Sequence, residues 1–230
     1  MSEQLSNAIT LVLSMPYFRN DAVRSAENVK GHEEMVARQF SKAGFSEYDC
    51  SADFRKKGRT PFKTLKEWAR TKDETNLRII ARDMPLGSYA LQPAGTQSYP
   101  DILVRDFNDK FHAIECKSSK GGNIMWNDSL PFPNGIYVFS SQKYDSTTVF
   151  MGRDVITCEE LELRDEMTKK LKLLVDEYET MSRRIDKFSR GWKFNFRQQN
   201  FQSSPKERRD YFLHADRESC EKKVLEYVSE

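Results

Sequence analysis

The sequence predicts an α/β chain with a mixed central β-sheet flanked by helices and a helical C-terminal part. Three observations support this. Short apolar runs bounded by turn residues fill the middle of the chain, from Ile102 to Met151. Amphipathic helical spacing precedes them at residues 5–14 and 33–43. A long stretch of helical spacing follows them from Glu159. At 230 residues the chain is long enough for one α/β domain with a substantial core. We divide it into a core at 1–157 and a C-terminal part at 158–230, read as belonging to the same compact domain.

The elements follow in order. Residues 5–14 form a short amphipathic helix. A second, clearer helix runs from Glu33 to Ala43 and closes at Gly44, with Met35, Val36, Phe40 and Ala43 facing the core. Residues 53–72 mix eight Lys/Arg with Phe54, Phe62 and Trp68, and Pro61 opens a helix there. They read either as a DNA-backbone contact or as a basic amphipathic surface helix. Ile102–Val104 and Phe111–Lys117 are strands joined by the polar turn Asp106–Lys110. Gly121, Gly122 and two prolines mark an ordered loop over 119–134. Gly135–Ser140 and Thr147–Met151 are further strands, with a turn at Gln142–Asp145, and they extend the sheet. One helix spans Glu159 to about Phe188 and stops at Gly191. Short helices follow from Ser204 and over 217–228.

The chemistry concentrates in the hairpin. Centred on Asn108, it sets Asp101 directly across from Glu115, and opposite residues in such a pair lie about 5 Å apart. Side chains alternate along a strand, so Glu115 and Lys117 share one face and Cys116 points to the other. Two carboxylates and an ammonium therefore converge. Carboxylate oxygens suit Mg²⁺, which takes few protein ligands and keeps several waters. The expected ligands are Asp101, Glu115 and the backbone carbonyl of Cys116. Lys117 orients an attacking water or stabilises a charged transition state. A solvated surface hairpin with ion pairs is the plain alternative. Glu221 and Lys223 repeat the Glu-x-Lys spacing in a helical tail.

Pro100, Asp101, Glu115 and Lys117 resemble the motif of the PD-(D/E)XK nuclease superfamily, and within it the type II restriction endonucleases. The flanks Gln92-Pro93-Ala94-Gly95-Thr96-Gln97 and Ser118-Ser119 are similar to members of that group, and the resemblance covers about residues 86–152. It implies a restriction-endonuclease-like fold and Mg²⁺-dependent, sequence-specific hydrolysis of double-stranded DNA. A structure-specific repair or recombination nuclease and a non-catalytic DNA-binding protein on that fold are the alternatives. The superfamily often adds a glutamate from a preceding helix. Glu33 fits its spacing to Val36 and Phe40 better than Glu34 does, though both also suit the first turn of a helix for dipole reasons.

Charge is nearly balanced, 37 basic against 35 acidic residues, but unevenly spread. Residues 183–209 hold nine Lys/Arg and two acids, while 159–180 hold eight acids and four bases. Basic patches separated by an acidic helix suit a protein that presents selected faces to a polyanion. Candidate DNA contacts are Asn123, Trp126 and Asn127 in the loop, with Trp126 equally suited to plug the core. Lys193, Arg197, Gln198, Gln199 and Asn200 form a second candidate segment, because Gln and Asn read adenine edges and Arg reads guanine. Its alternative is a strand packing Trp192, Phe194 and Phe196 inward.

Met167, Leu171, Leu174, Tyr178, Met181, Ile185 and Phe188 recur at alternating spacings of four and three, a heptad seam. It packs either on the body or on a second copy, as in a homodimer meeting a palindrome. The four cysteines show no zinc spacing and read as reduced cytosolic thiols, and a cytoplasmic location is expected. No signal-type N-terminus and no apolar run near the roughly 20 residues of a membrane span is present.

Overall fold

The computed structural model describes residues 3–19, 31–50, 60–95, 98–127, 130–185, 193, 199–200, 202–203 and 205–230. Helices α1 (Glu3–Leu13) and α2 (His32–Lys42) open the chain, followed by β1 (Ser46–Glu47), α3 (Thr60–Thr71) and α4 (Thr75–Ile80). Strands β2 (Ser88–Leu91), β3 (Ile102–Arg105), β4 (Phe111–Ser119), β5 (Trp126–Asn127), β6 (Ile136–Ser141) and β7 (Ser146–Met151) come next. The long α5 (Cys158–Ile185), β8 (Gln199–Asn200), α6 (Lys206–Arg209) and α7 (Arg217–Ser229) complete it.

Six strands form one mixed sheet in the order β1-β2-β3-β4-β6-β7. The β1–β2 and β4–β6 pairs are parallel, and the β2–β3, β3–β4 and β6–β7 pairs are antiparallel. The expected α/β class with a mixed sheet flanked by helices is therefore present. The sheet is covered on both faces, which is why its strands read as nearly continuous apolar runs. On one face Ile102, Val104, Ile114, Cys116, Ile136 and Val138 pack against α1, α2 and α7 through residues such as Ile9, Phe40 and Val224. On the other, Leu103, Ala113, Tyr137, Phe139 and Phe150 pack against Leu65, Trp68, Leu77, Trp126 and Phe212.

Local chemistry explains the ends of the main elements. Met35, Val36 and Phe40 are buried on α2, and the helix stops where Gly44 takes φ +96°, a conformation that glycine adopts without strain. The 106–110 turn is organised by the buried Asp106 carboxylate. Its Oδ1 accepts the Asn108 and Lys110 amides at 2.8 Å each, and Oδ2 lies 3.2 Å from His112 Nε2. Burial opposes ionisation of Asp106, but these bonds outweigh it and hold the carboxyl below its usual range.

Several elements went unanticipated: β1, α4 and β2, together with the pairing of β5 with β8. All are short, and two-residue strands exist only through their partners. Leu65, Trp68 and Ala69 of α3 pack in the core, with Trp68 6% exposed, so its apolar face is turned inward. Phe54, Phe188, Arg190, Gly191, Trp192, Phe194, Phe196, Arg197 and Gln198 lie outside the described residues, as do the side chains of Phe62 and Gln199. Among the described residues no helix is long and apolar enough to cross a membrane.

Candidate active site

The register of the hairpin builds the site. Ile102 pairs with Ile114 and Arg105 with Phe111, which centres the hairpin on Asn108. Asp101, one step before β3, therefore falls opposite Glu115. The two strands hold these carboxylates together at the mouth of the sheet, and Asp101 Oδ2 accepts the Cys116 amide at 2.7 Å. Cys116 turns its side chain into the α2-side core, where burial pushes the thiol well above its usual range. Glu115 and Lys117 project from the opposite face, beside Tyr137 and Phe139 of the parallel partner strand.

The electrostatics are those of a crowded, partly dehydrated anionic pocket. Burial, reinforced by the Glu115 carboxylate, raises Asp101 to about 7, against the opposing pull of the Cys116 amide and Lys117. Lys117 Nζ donates to Glu115 Oε1 at 2.6 Å. Burial alone would lower this ammonium, but Glu115 and Asp101 outweigh it and raise its pKa. The other Glu115 oxygen, Oε2, is buried without a hydrogen-bond partner. An unsatisfied buried carboxylate oxygen is costly, and a cation would satisfy it. The donor set of two carboxylates fits a hard, oxygen-seeking divalent ion.

Glu33 sits in the first turn of α2, half-buried, and its negative charge acts on both Asp101 and Cys116, while Glu34 is exposed. Glu33 is placed by its neighbour. His32 is buried, stacks on Phe18 at 4.6 Å and lies 3.0 Å from Ser140 Oγ on β6, which pins the start of α2 to the sheet. Among the described residues no group of three or more His, Cys, Asp or Glu side chains is arranged to hold a metal ion.

From Lys117 an open groove continues past Ser118, Ser119 and Gly121 to Asn123, Met125 and Asn127. The loop that forms it is anchored: the Gly121 carbonyl accepts Ser119 Oγ and Ser141 Oγ, each at 2.7 Å, and the Gly122 carbonyl accepts the Tyr211 amide at 2.9 Å. A side chain at Gly122 would collide with the Asp210 carboxylate, so the loop approaches that closely only with glycine.

Asn123 and Asn127 are exposed on this groove. Trp126 is not: it is 3% exposed and packs edge-on against Tyr137 at 5.3 Å, so it is a core plug and leaves the set of DNA contacts. Strand pairing sets Trp126 opposite Asn200 and Asn127 opposite Gln199, which joins the two separate candidate segments into one ribbon. Asn200 is half-buried there, and Lys193 is exposed. Met125 was not anticipated, because an exposed methionine in a loop carries no pattern. The second Glu-x-Lys copy is structural: Glu221 accepts Thr148 Oγ1 at 2.6 Å and Arg217 Nε at 2.8 Å, while Lys223 pairs with Asp154 at 3.0 Å.

No family model matches the chain, and neither does any curated protein or solved structure.

Proposed function

We propose that the chain is a Mg²⁺-dependent endonuclease that hydrolyses double-stranded DNA at a short specific sequence, in the manner of a type II restriction endonuclease. The observation that carries this reading is the hairpin register that faces Asp101 with Glu115, leaving one buried carboxylate oxygen unsatisfied beside an ammonium. Asp101 and Glu115 would hold the ion, with the Cys116 carbonyl as a further oxygen. An ion held there would supply a water of lowered pKa and offset charge that builds on the phosphate.

The remaining work belongs to the chain. Lys117 has a raised pKa and is protonated at neutral pH, so it donates hydrogen bonds and positive charge rather than accepting a proton. It is suited to orient the attacking water or to stabilise the negative transition state. Glu33 adds negative charge at the rim. The groove from Lys117 to Asn127 offers a path for one strand, with Asn123, Asn127 and the partnered β8 segment near base edges. Lys193, Arg197, Gln198, Gln199 and Asn200 complete this proposed contact set. Cutting both strands of a palindrome calls for two sites, hence a homodimer.

Digestion of a plasmid of known sequence tests the reading. Discrete fragments with Mg²⁺ and none with EDTA are expected. Cutting only at junctions or flaps would indicate a structure-specific nuclease, and binding without cutting a non-catalytic protein.

A further inference from the structure

Helix α5 turns its apolar stripe away from the body. The side toward the body carries Leu161, Asp165, Thr168, Leu171, Val175, Glu179 and Ser182, all buried or half-buried, and an Arg70–Asp165 ion pair of 2.6 Å ties it to α3. This inward side is mixed: Leu161, Leu171 and Val175 stand among Asp165, Thr168, Glu179 and Ser182. The heptad positions Met167, Leu174, Tyr178, Met181 and Ile185 are instead 44, 50, 58, 52 and 79% exposed. A contiguous apolar stripe of this length, left wet, marks an interaction surface. From Leu174 to Ile185 it runs about 17 Å at 1.5 Å per residue, about three turns of knobs-into-holes packing.

The charges flanking the stripe say what covers it. On its open side, one residue before Leu171, Tyr178 and Ile185, stand Lys170, Glu177 and Arg184, all exposed. We propose that two copies of this chain pack their α5 helices antiparallel. In this arrangement Leu174 lies against Ile185 of the partner subunit, and Tyr178 against Met181 of the partner subunit. In this register Glu177 meets Arg184 of the partner subunit, and symmetry forms the pair twice. Sliding the antiparallel pair by one heptad one way sets Glu177 against Glu177 and Lys170 against Arg184. Sliding it the other way sets Arg184 against Arg184. In a parallel pair the same flanks face Val175 and Ser182 and gain no opposite charge. Attraction in one register and repulsion in its neighbours is the signature of a specified self-pairing.

This interface rests on the surface of α5 alone and not on the nuclease reading, and its readout needs no DNA. Sedimentation velocity over a concentration series should show a dimer for the native chain. Glu177→Arg and Arg184→Glu should each sediment as a monomer with an unchanged circular dichroism spectrum. The double variant Glu177→Arg/Arg184→Glu should return to dimer, because both pairs are restored with reversed signs. A native monomer at every concentration overturns the proposal. So do single variants that remain dimeric, or a double variant that stays monomeric. In a Cys158→Ser background, Tyr178→Cys/Met181→Cys should oxidise to a covalent dimer far faster than either single cysteine. Efficient cross-linking of the single variants would mean parallel helices and would overturn the antiparallel arrangement.

Discussion

Lys117 is half-buried, yet protonated, because Glu115 and Asp101 face it. Such a set is stable only while every member is present. Asp101→Asn and Glu115→Gln should therefore abolish Mg²⁺-dependent cleavage while DNA binding persists, as read by parallel digestion and gel-shift assays. Lys117→Ala should lose about a hundredfold or more in rate, the scale expected for removing one transition-state-stabilising group. Cys116→Ser should cut nearly as well as the native chain, since its thiol is in the core and inert. Near-native cutting by either carboxylate variant would remove the assignment.

The same pocket predicts a pH effect. Asp101 is raised from 3.8 to about 7 on folding, so the folded state holds a proton that the unfolded chain has released. Its contribution to stability is full below about pH 4 and is lost as pH rises through about 7. In EDTA, the native chain should lose more melting temperature between pH 5 and pH 8 than Asp101→Asn does. Comparing the two proteins isolates Asp101 from other groups, such as the buried His32, which is held to about 3 by burial. Added Mg²⁺ should restore the native melting temperature at pH 8 and leave the variant unchanged. Equal pH slopes in the two proteins would contradict the argument.

At the level of elements, the β5–β8 ribbon has a buried side and an exposed side. Trp126 on one side is core; Asn127 on the other is exposed. Trp126→Ala should cost about 3–5 kcal/mol of stability, as for other buried aromatic truncations, measured by urea unfolding. Asn127→Ala should leave stability within about 0.5 kcal/mol. If Asn127 reads a base, its loss should weaken cognate binding by about 1–3 kcal/mol and non-specific binding much less. Competition between cognate and scrambled duplexes measures this. An unchanged ratio would shift recognition to Asn123 or to the β8 side of the ribbon. Lys193→Ala should weaken all DNA alike and flatten the salt dependence, as a phosphate contact does.

Across the whole molecule, the C-terminal part is woven into the core. Val224 and Val228 of α7 pack with α1 and the sheet on one face, and Phe212 packs with Phe139 and Tyr144 on the other. Truncating α7 packing should thus weaken the entire protein rather than release a module. Val224→Ala is expected to cost about 2 kcal/mol. Tryptophan fluorescence and far-ultraviolet circular dichroism should move together to a lower urea midpoint. Two separate transitions would mean that the C-terminal part folds by itself.

The hairpin that faces Asp101 with Glu115 was legible in the sequence because its causes are local. Alternating strands, a turn closed by Asp106 and a symmetric spacing about Asn108 set the register, and register alone faces Asp101 with Glu115. The α2 core positions, the apolar strands β6 and β7 and the heptad spacing of α5 were legible for the same reason: periodicity survives in one dimension. Tertiary structure decided the rest. The strand order, with β4 beside β6 in parallel, depends on a crossover that no local pattern encodes. The union of Asn127 with Gln199 depends on two-residue strands that have no signal apart from each other. Trp126 and Trp68 could be assigned to core or surface only once their neighbours were known, because an aromatic side chain suits both. The direction of the α5 stripe was likewise beyond the sequence: heptad spacing shows that a seam exists, but only the folded chain shows that Met167, Leu174, Tyr178, Met181 and Ile185 are left to solvent.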